Sequence, residues 1–242
     1  MVRALDTSVA AEESNLVELF GEPSFDVFPL LDDDFESGNQ GWVFELGTPA
    51  ASTGDFVIGD PVGTVSNYGA PSQPEDDHTP GGVNCLYTAE NPDANAGVDD
   101  VDGGEVIATS PVFDGEGMQR VRLSLWRWFF NEDNDDVGDY YALDVSNDGG
   151  GSWTTLEEIP GSVTNANVWT RVAFNLEEFV DLTANLQIRV RAADGTGGGD
   201  LVELAIDDVE IFGYMGCLPI DEYVFLDGFD NGDTSGWSGT TP

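Results

Sequence analysis

The run Ser146-Asn147-Asp148-Gly149-Gly150-Gly151-Ser152-Trp153 constrains this chain more than any other stretch. Ahead of it, Tyr141, Leu143 and Val145 alternate with Ala142 and Asp144, the period-two pattern of a half-buried strand. Within it, Asn147, Asp148 and three glycines accept positive φ, so the backbone can reverse in a tight hairpin. Trp153 then gives the returning strand an apolar anchor. A chain built around such a reversal folds as paired antiparallel strands.

The same rhythm recurs along the sequence. Strand-like stretches lie at 42–46, 84–88, 105–113, 119–130, 139–146, 153–158, 168–175, 186–193 and 201–212, separated by segments rich in the chain's 30 glycines and 12 prolines. This spacing predicts an all-β fold, a two-sheet antiparallel β-sandwich of jelly-roll type, over residues 31–213. Residues 1–30 read as a linker or the end of a preceding module, with one short helix from Ala10 to Phe20. Residues 214–242 form a tail that echoes the opening strand. Asp33-Asp34-Phe35-Glu36-Ser37-Gly38 through Trp42 returns, with one insertion, as Asp227-Gly228-Phe229-Asp230 through Trp237. The long segments 59–82 and 89–104 are the places where a β scaffold carries its sites.

Charge narrows the partners. The chain carries 47 acidic residues against seven basic ones, all arginine, for a net charge of −40. Nucleic acid and anionic membrane are thereby disfavoured, leaving hard cations or a solvating acidic surface. Apolar residues make up 40%, enough for a real core. No run approaches a membrane span, and Met1-Val2-Arg3-Ala4-Leu5-Asp6 does not open a secretory leader. We therefore expect a piece of a longer secreted or cell-surface protein, or a chain that lacks its true start. Cys85 and Cys217 either form a disulfide or stay as free thiols, and two cysteines alone do not decide between these.

Several motifs occur in one order: Gln73-Pro74-Glu75-Asp76-Asp77-His78-Thr79, Asp100-Val101-Asp102-Gly103-Gly104, Ser110-Pro111-Val112-Phe113, Trp126-Arg127-Trp128, the hairpin run and Ile206-Asp207-Asp208. The hairpin matches the Asp-box turn of all-β extracellular proteins. Together the motifs resemble the accessory β-sandwich domain of secreted bacterial zinc carboxypeptidases and other multidomain extracellular proteins. The opening Asp-Phe-Glu and closing Ile-Asp-Asp are similar to MAM and carbohydrate-binding jelly rolls. The tail resembles short C-terminal segments of secreted bacterial proteins. The resemblance implies a bacterial, non-catalytic module.

Calcium requires six to eight oxygen ligands, which clustered carboxylates and backbone carbonyls supply. Asp34 and Glu36 on the first strand and Asp207 and Asp208 on the last can converge, because those strands are neighbours in a jelly roll. Glu75, Asp76, Asp77, Asp100 and Asp102 add loop carboxylates, with Asp99 beside them. Packing so many like charges onto ordered strand ends costs stability unless a cation is present. We expect Ca2+ at this group rather than a merely solvated acidic loop. The run Asn131 to Asp139 lacks EF-hand context and reads as a polar hairpin tip. His78, the only histidine, reads as a hydrogen-bonding loop residue.

On the strand from Arg120 to Phe130, Trp126 and Trp128 share one face. They stack against sugar rings if that face is open, or pack in the inter-sheet core, which their size favours. Tyr68 is the corresponding loop candidate. Arg189 and Arg191 share a face with a possible contribution from Arg171, and pairing with carboxylates is expected there before anion binding. No zinc-peptidase, nucleophile-elbow or phosphate-loop motif occurs.

Three functions remain. The first is a non-catalytic, calcium-stabilised module for adhesion, enzyme support or surface assembly. The second is a carbohydrate-binding module that takes polysaccharide. The third, ranked last, is a glycan-active enzyme. A neighbouring domain of the same protein is a further expected partner. The tail reads first as a flexible terminal segment or sorting signal, because glycines and polar residues dominate after Gly228, and second as a donor strand building homo-oligomers or head-to-tail filaments.

Overall fold

The computed structural model describes residues 25–88, 94–132, 138–161, 167–195 and 200–216. The helix expected at 10–20, Cys217 and nearly all of the tail lie outside these residues. Eleven strands and one 3-10 turn, Leu176–Glu178, make up the described fold, with no α-helix among the described residues. One sheet runs β3 (Phe56–Gly59), β4 (Cys85–Thr88), β11 (Leu201–Gly216), β6 (Arg120–Glu132), β9 (Thr170–Asn175), and β1 (Phe25–Asp33) also pairs with β11. The other runs β2 (Val43–Leu46), β5 (Gly104–Thr109), β10 (Gln187–Asp194), β7 (Tyr140–Ser146), β8 (Thr154–Pro160). This is the expected antiparallel β-sandwich. Two strands were not anticipated. The strand β1 begins at Phe25, inside the stretch read as linker, and the four residues of β3 are too few to show a period.

The inner faces of both sheets share one hydrophobic cluster. Val121, Leu123, Leu125 and Phe129 from β6 and Val202, Leu204 and Ile206 from β11 meet Tyr141, Leu143 and Val145 from β7 and Ile188 and Val190 from β10. Burial of this apolar surface drives the sheets together. Arg127, which breaks the apolar face of β6, reaches across to the other sheet. Its Nε and Nη2 donate to Glu157 of β8 at 2.8 Å each, a bidentate pair joining the layers.

The hairpin between β7 and β8 forms as its sequence requires. Gly149 and Gly150 take φ of 70° and 87°, and Asp148 collects the turn. Its Oδ1 accepts Ser146 Oγ and Ser152 N, and its Oδ2 accepts Ser152 Oγ at 2.7 Å. Those donors, the Ser152 hydroxyl foremost, hold its pKa at about 2.

The opening motif has an equally local logic. Asp33 is buried and accepts Phe35 N and Gln40 Nε2 on Oδ1 and the Trp42 indole N–H on Oδ2. These bonds hold Phe35 at φ 58°, an unusual conformation for an aromatic residue, and direct its ring into the core against Trp42. In β11, the register against β6 shifts between Asp207 and Glu210, with Asp208 at φ 47°. Asp207 points outward by the strand's regular alternation, and the bulge turns Asp208 outward beside it and Val209 inward with Ile206.

The tryptophans of β6 lie elsewhere than expected. Trp128 is buried, yet on the outer face of its sheet, packed with Cys85, Tyr87 and Ala205. The segment 71–79 covers it, and its Nε1 donates to Ser72 O at 2.8 Å. Trp126 is half-buried and stacks on His78 with ring centroids 3.7 Å apart. Size did predict burial, but under a loop instead of between the sheets. Trp128 is closed off in this way, while Trp126 on the same face keeps part of its ring exposed.

Candidate functional site

The β11 bulge presents two carboxylates to segment 77–84. Asp207, fully buried, accepts His78 N at 2.8 Å, Thr79 N at 3.1 Å and the Thr79 hydroxyl on Oδ2. Asp208 takes His78 Nδ1 at 2.6 Å and Thr79 Oγ1 at 2.7 Å. His78 is therefore a bridge from the loop to the last strand, held between Asp208 and the face of Trp126. Burial raises Asp207 to about 6, against the lowering pull of the backbone donors.

Glu36, carried out of the opening turn, reaches the same segment. Its Oε1 accepts Asn84 N at 2.6 Å and Val83 N at 2.8 Å, and these donors lower its pKa. Opposite it stands Asp77. A methyl group placed on Gly82 would lie 2.3 Å from Asp77 Oδ2 and 2.7 Å from Glu36 Oε1, so both oxygens face one spot that only glycine leaves open. Asp77 Oδ2 is buried without a hydrogen-bond partner. Burial, then the charges of Glu36, Asp76 and Asp208, raise the pKa of Asp77.

The nine expected metal ligands thus divide. Glu36, Asp77, Asp207 and Asp208 gather where opening turn, loop and closing strand meet. Asp34 is exposed and caps its own turn by accepting Glu36 N. Glu75 and Asp76 are exposed, Glu75 against Gly63 and Asp76 offering its backbone carbonyl to Trp169 Nε1. Asp100 and Asp102 belong to a different group. Burial first, and the charge of Asp102 next, raise Asp100 to about 7. Asp194 contributes to that field and is itself raised to about 6 by burial and by Asp139, Asp102 and Asp200.

Asp194 and Asp200 were missed by sequence reasoning, and Asp139 was read as the end of a polar hairpin tip. Each sits at a strand end, ahead of β7, closing β10 and ahead of β11, and acids at strand ends beside glycines were the available signal. Glu203 on β11 is a further buried carboxylate, raised by burial, with Oε2 accepting the Thr88 hydroxyl at 2.8 Å.

Tyr68 is 84% exposed and stands at a cavity of about 390 Å³, lined also by Asn67, Asp100, Asp102, Glu132 and Asp200. Of the three aromatic candidates it is the most exposed. The arginine face is closed by its own acids. Arg189 Nε and Arg191 Nε meet Asp144 Oδ2 at 2.8 and 2.7 Å, while Arg171 pairs with Glu210 in the other sheet. Burial acts to raise Asp144, but hydrogen bonds from Arg191, Thr155 and Arg189 outweigh it and lower its pKa. Cys85 is a buried free thiol, raised by burial.

These shifts set a pH dependence. The folded-state pKa values of Asp100, Asp194 and Asp207 exceed the ordinary carboxylate value, so folding takes up protons. The stability they supply is complete below about pH 4 and is lost as pH rises through about 6–7. Asp144 acts oppositely, losing its contribution as pH falls through its lowered folded value. With chelator present, urea midpoints should therefore fall between about pH 5 and pH 8, and Asp100→Asn should flatten that fall. A midpoint that rises over this range in the parent chain contradicts the assignment.

No family model matches the chain, and no curated protein matches it. Among solved structures, it is similar to the K3 cleaved adhesin domain of Lys-gingipain from Porphyromonas gingivalis at 16% identity, covering 77% of this chain and 99% of that one, with a TM-score of 0.48. The K1 domain of the same protein gives 15%, 77%, 97% and 0.48. The CBM22-1 xylan-binding domain of Paenibacillus barcinonensis Xyn10C gives 13%, 80%, 97% and 0.43. Likeness at this level carries no weight for ligand or activity.

Proposed function

We propose that this chain is a non-catalytic, calcium-stabilised extracellular β-sandwich module serving adhesion or the support of a secreted enzyme. The observation that carries the reading is Asp77 Oδ2, buried without a hydrogen-bond partner and facing Glu36 Oε1 across Gly82. Asp77 Oδ2 lies in the negative field of Glu36 and Asp208, and a buried carboxylate oxygen so placed suits a hard cation. Glu36 and Asp77 would hold the ion, which would supply a positive charge that none of the described arginines brings to these two acids. It would fasten segment 77–84 to the opening turn, and through His78 and Thr79 to the closing strand.

A second reading has its own observation. Tyr68 offers an open ring beside carboxylates that accept hydroxyl protons, the combination by which proteins hold sugars. Polysaccharide is then the partner, and the cavity edge is the binding surface.

Calcium should raise the melting temperature of the chelator-treated chain. At a hundredfold excess over Kd the gain is about 2.7 kcal/mol, or roughly 5–10 °C for a domain of this size. Glu36→Gln combined with Asp77→Asn should remove much of that gain. Equal melting curves with calcium and with chelator, at matched ionic strength, would defeat the calcium reading. For the second reading, a glycan array should give binding that Tyr68→Ala abolishes while leaving the melting temperature within about 1 °C, since the ring is exposed. An array without any binding glycan removes it.

A further inference from the structure

The strand ends beneath the Tyr68 cavity assemble a second carboxylate group. Asp139, Asp194 and Asp200 are 3%, 1% and 3% exposed, and one ligand oxygen from each lies within 4.8 Å of the other two. Their strands come from both layers, β7 and β10 in one sheet and β11 in the other. The pairing Ala193↔Tyr140 puts Asp194 and Asp139 at neighbouring strand ends.

Backbone amides orient the acids. Gly103 N donates to Asp194 Oδ2 at 2.7 Å, and Gly195 N donates to Asp139 Oδ1 at 2.7 Å. The other oxygen of Asp194, Oδ1, is buried and accepts no hydrogen bond. A buried carboxylate oxygen left in this state loses its hydration with nothing in return. Nor does the site have room to rearrange. An added methyl at Gly161 would stand 2.6 Å from Asp139 Cβ and 2.5 Å from Asn131 Nδ2. Asn131 Oδ1 is a further buried oxygen without a hydrogen-bond partner, on a side chain packed beside Asp139.

We infer that Asp139, Asp194 and Asp200 bind one hard divalent cation, calcium by preference. Oxygens on opposite sides of a calcium ion, at about 2.3–2.6 Å each, stand up to about 5 Å apart, which agrees with the observed span. The ligand set is all oxygen, which turns it away from zinc and copper, whose sites favour nitrogen and sulfur. Three carboxylates of one sign at this spacing repel one another without an ion, and the ion converts the repulsion into a clamp between the two sheets. Asp200 also lines the cavity at Tyr68, so the bound ion fixes part of that cavity's wall. This site uses other residues than Glu36 and Asp77 and stands independently of the proposed function.

Asp194→Asn tests it, because the amide oxygen can still accept from Gly103 N while one charge is gone. In chelator the variant should melt at or above the parent chain, since a repelling charge has been removed. In millimolar calcium the parent should gain about 5 °C or more over the variant, and calorimetry should show that one class of calcium site has weakened at least tenfold. The same comparison in a Glu36→Gln/Asp77→Asn background isolates this site from the other. An identical calcium-induced shift in parent and variant overturns the inference. Should the variant fail to fold, crystals of the parent chain soaked in terbium decide. An anomalous peak among the three carboxylates supports the site, and none at saturating terbium overturns it.

Discussion

Buried carboxylates must be matched by positive charge or by hydrogen-bond donors, and this constraint shapes the sandwich from end to end. A chain with seven arginines and 47 acids cannot meet it by ion pairs alone. Three solutions are visible. Asp144 takes two arginines at once. Asp33 and Asp207, both buried, take main-chain amides and a hydroxyl or side-chain donors, and the exposed Glu36 and Asp148 do likewise, so that together they define the opening turn, the hairpin and the loop closure. Asp77 and Asp194 each keep one buried oxygen with no hydrogen-bond partner, and the complement we propose for them is a cation.

The same constraint links fold to function. The segment 71–84 lies across the outer face of one sheet because Trp128, Trp126 and Asp207 each hold part of it. That cover buries Trp128 and leaves Tyr68 as the most exposed of the candidate rings, beside a polar cavity. A cation held by Asp139, Asp194 and Asp200 would act on the proposed ligand surface, whose wall includes Asp200, and a stability device would double as a shaping one. Domains of this kind carry recognition on loops while the sheets supply rigidity.

Much of this was legible beforehand. The hairpin was readable from Ser146 to Trp153 because its donors and acceptors lie within eight consecutive residues. The convergence of opening and closing acids was partly readable, since strand adjacency follows from the topology. The burial of Trp128 under a loop was not, because the contact with Ser72 joins residues far apart in the chain. The group at Asp139, Asp194 and Asp200 was hidden for the same reason: each acid looks ordinary alone, and only strand pairing brings them together. The bulge at Asp207 was invisible too, for the doublet reads equally well as regular strand. Local hydrogen-bonding logic is written in order along the chain, whereas charge clusters arise from register.

The most direct test of cation compensation is a stoichiometry. Equilibrium dialysis of the folded, chelator-treated chain against labelled calcium, at fixed ionic strength, counts the ions that the carboxylates retain. The account predicts about two bound ions per chain, displaced by chelator and absent from the urea-unfolded chain. Fewer than about one ion per folded chain at millimolar calcium, or equal binding by the unfolded chain, would show that the buried acids are held without metal.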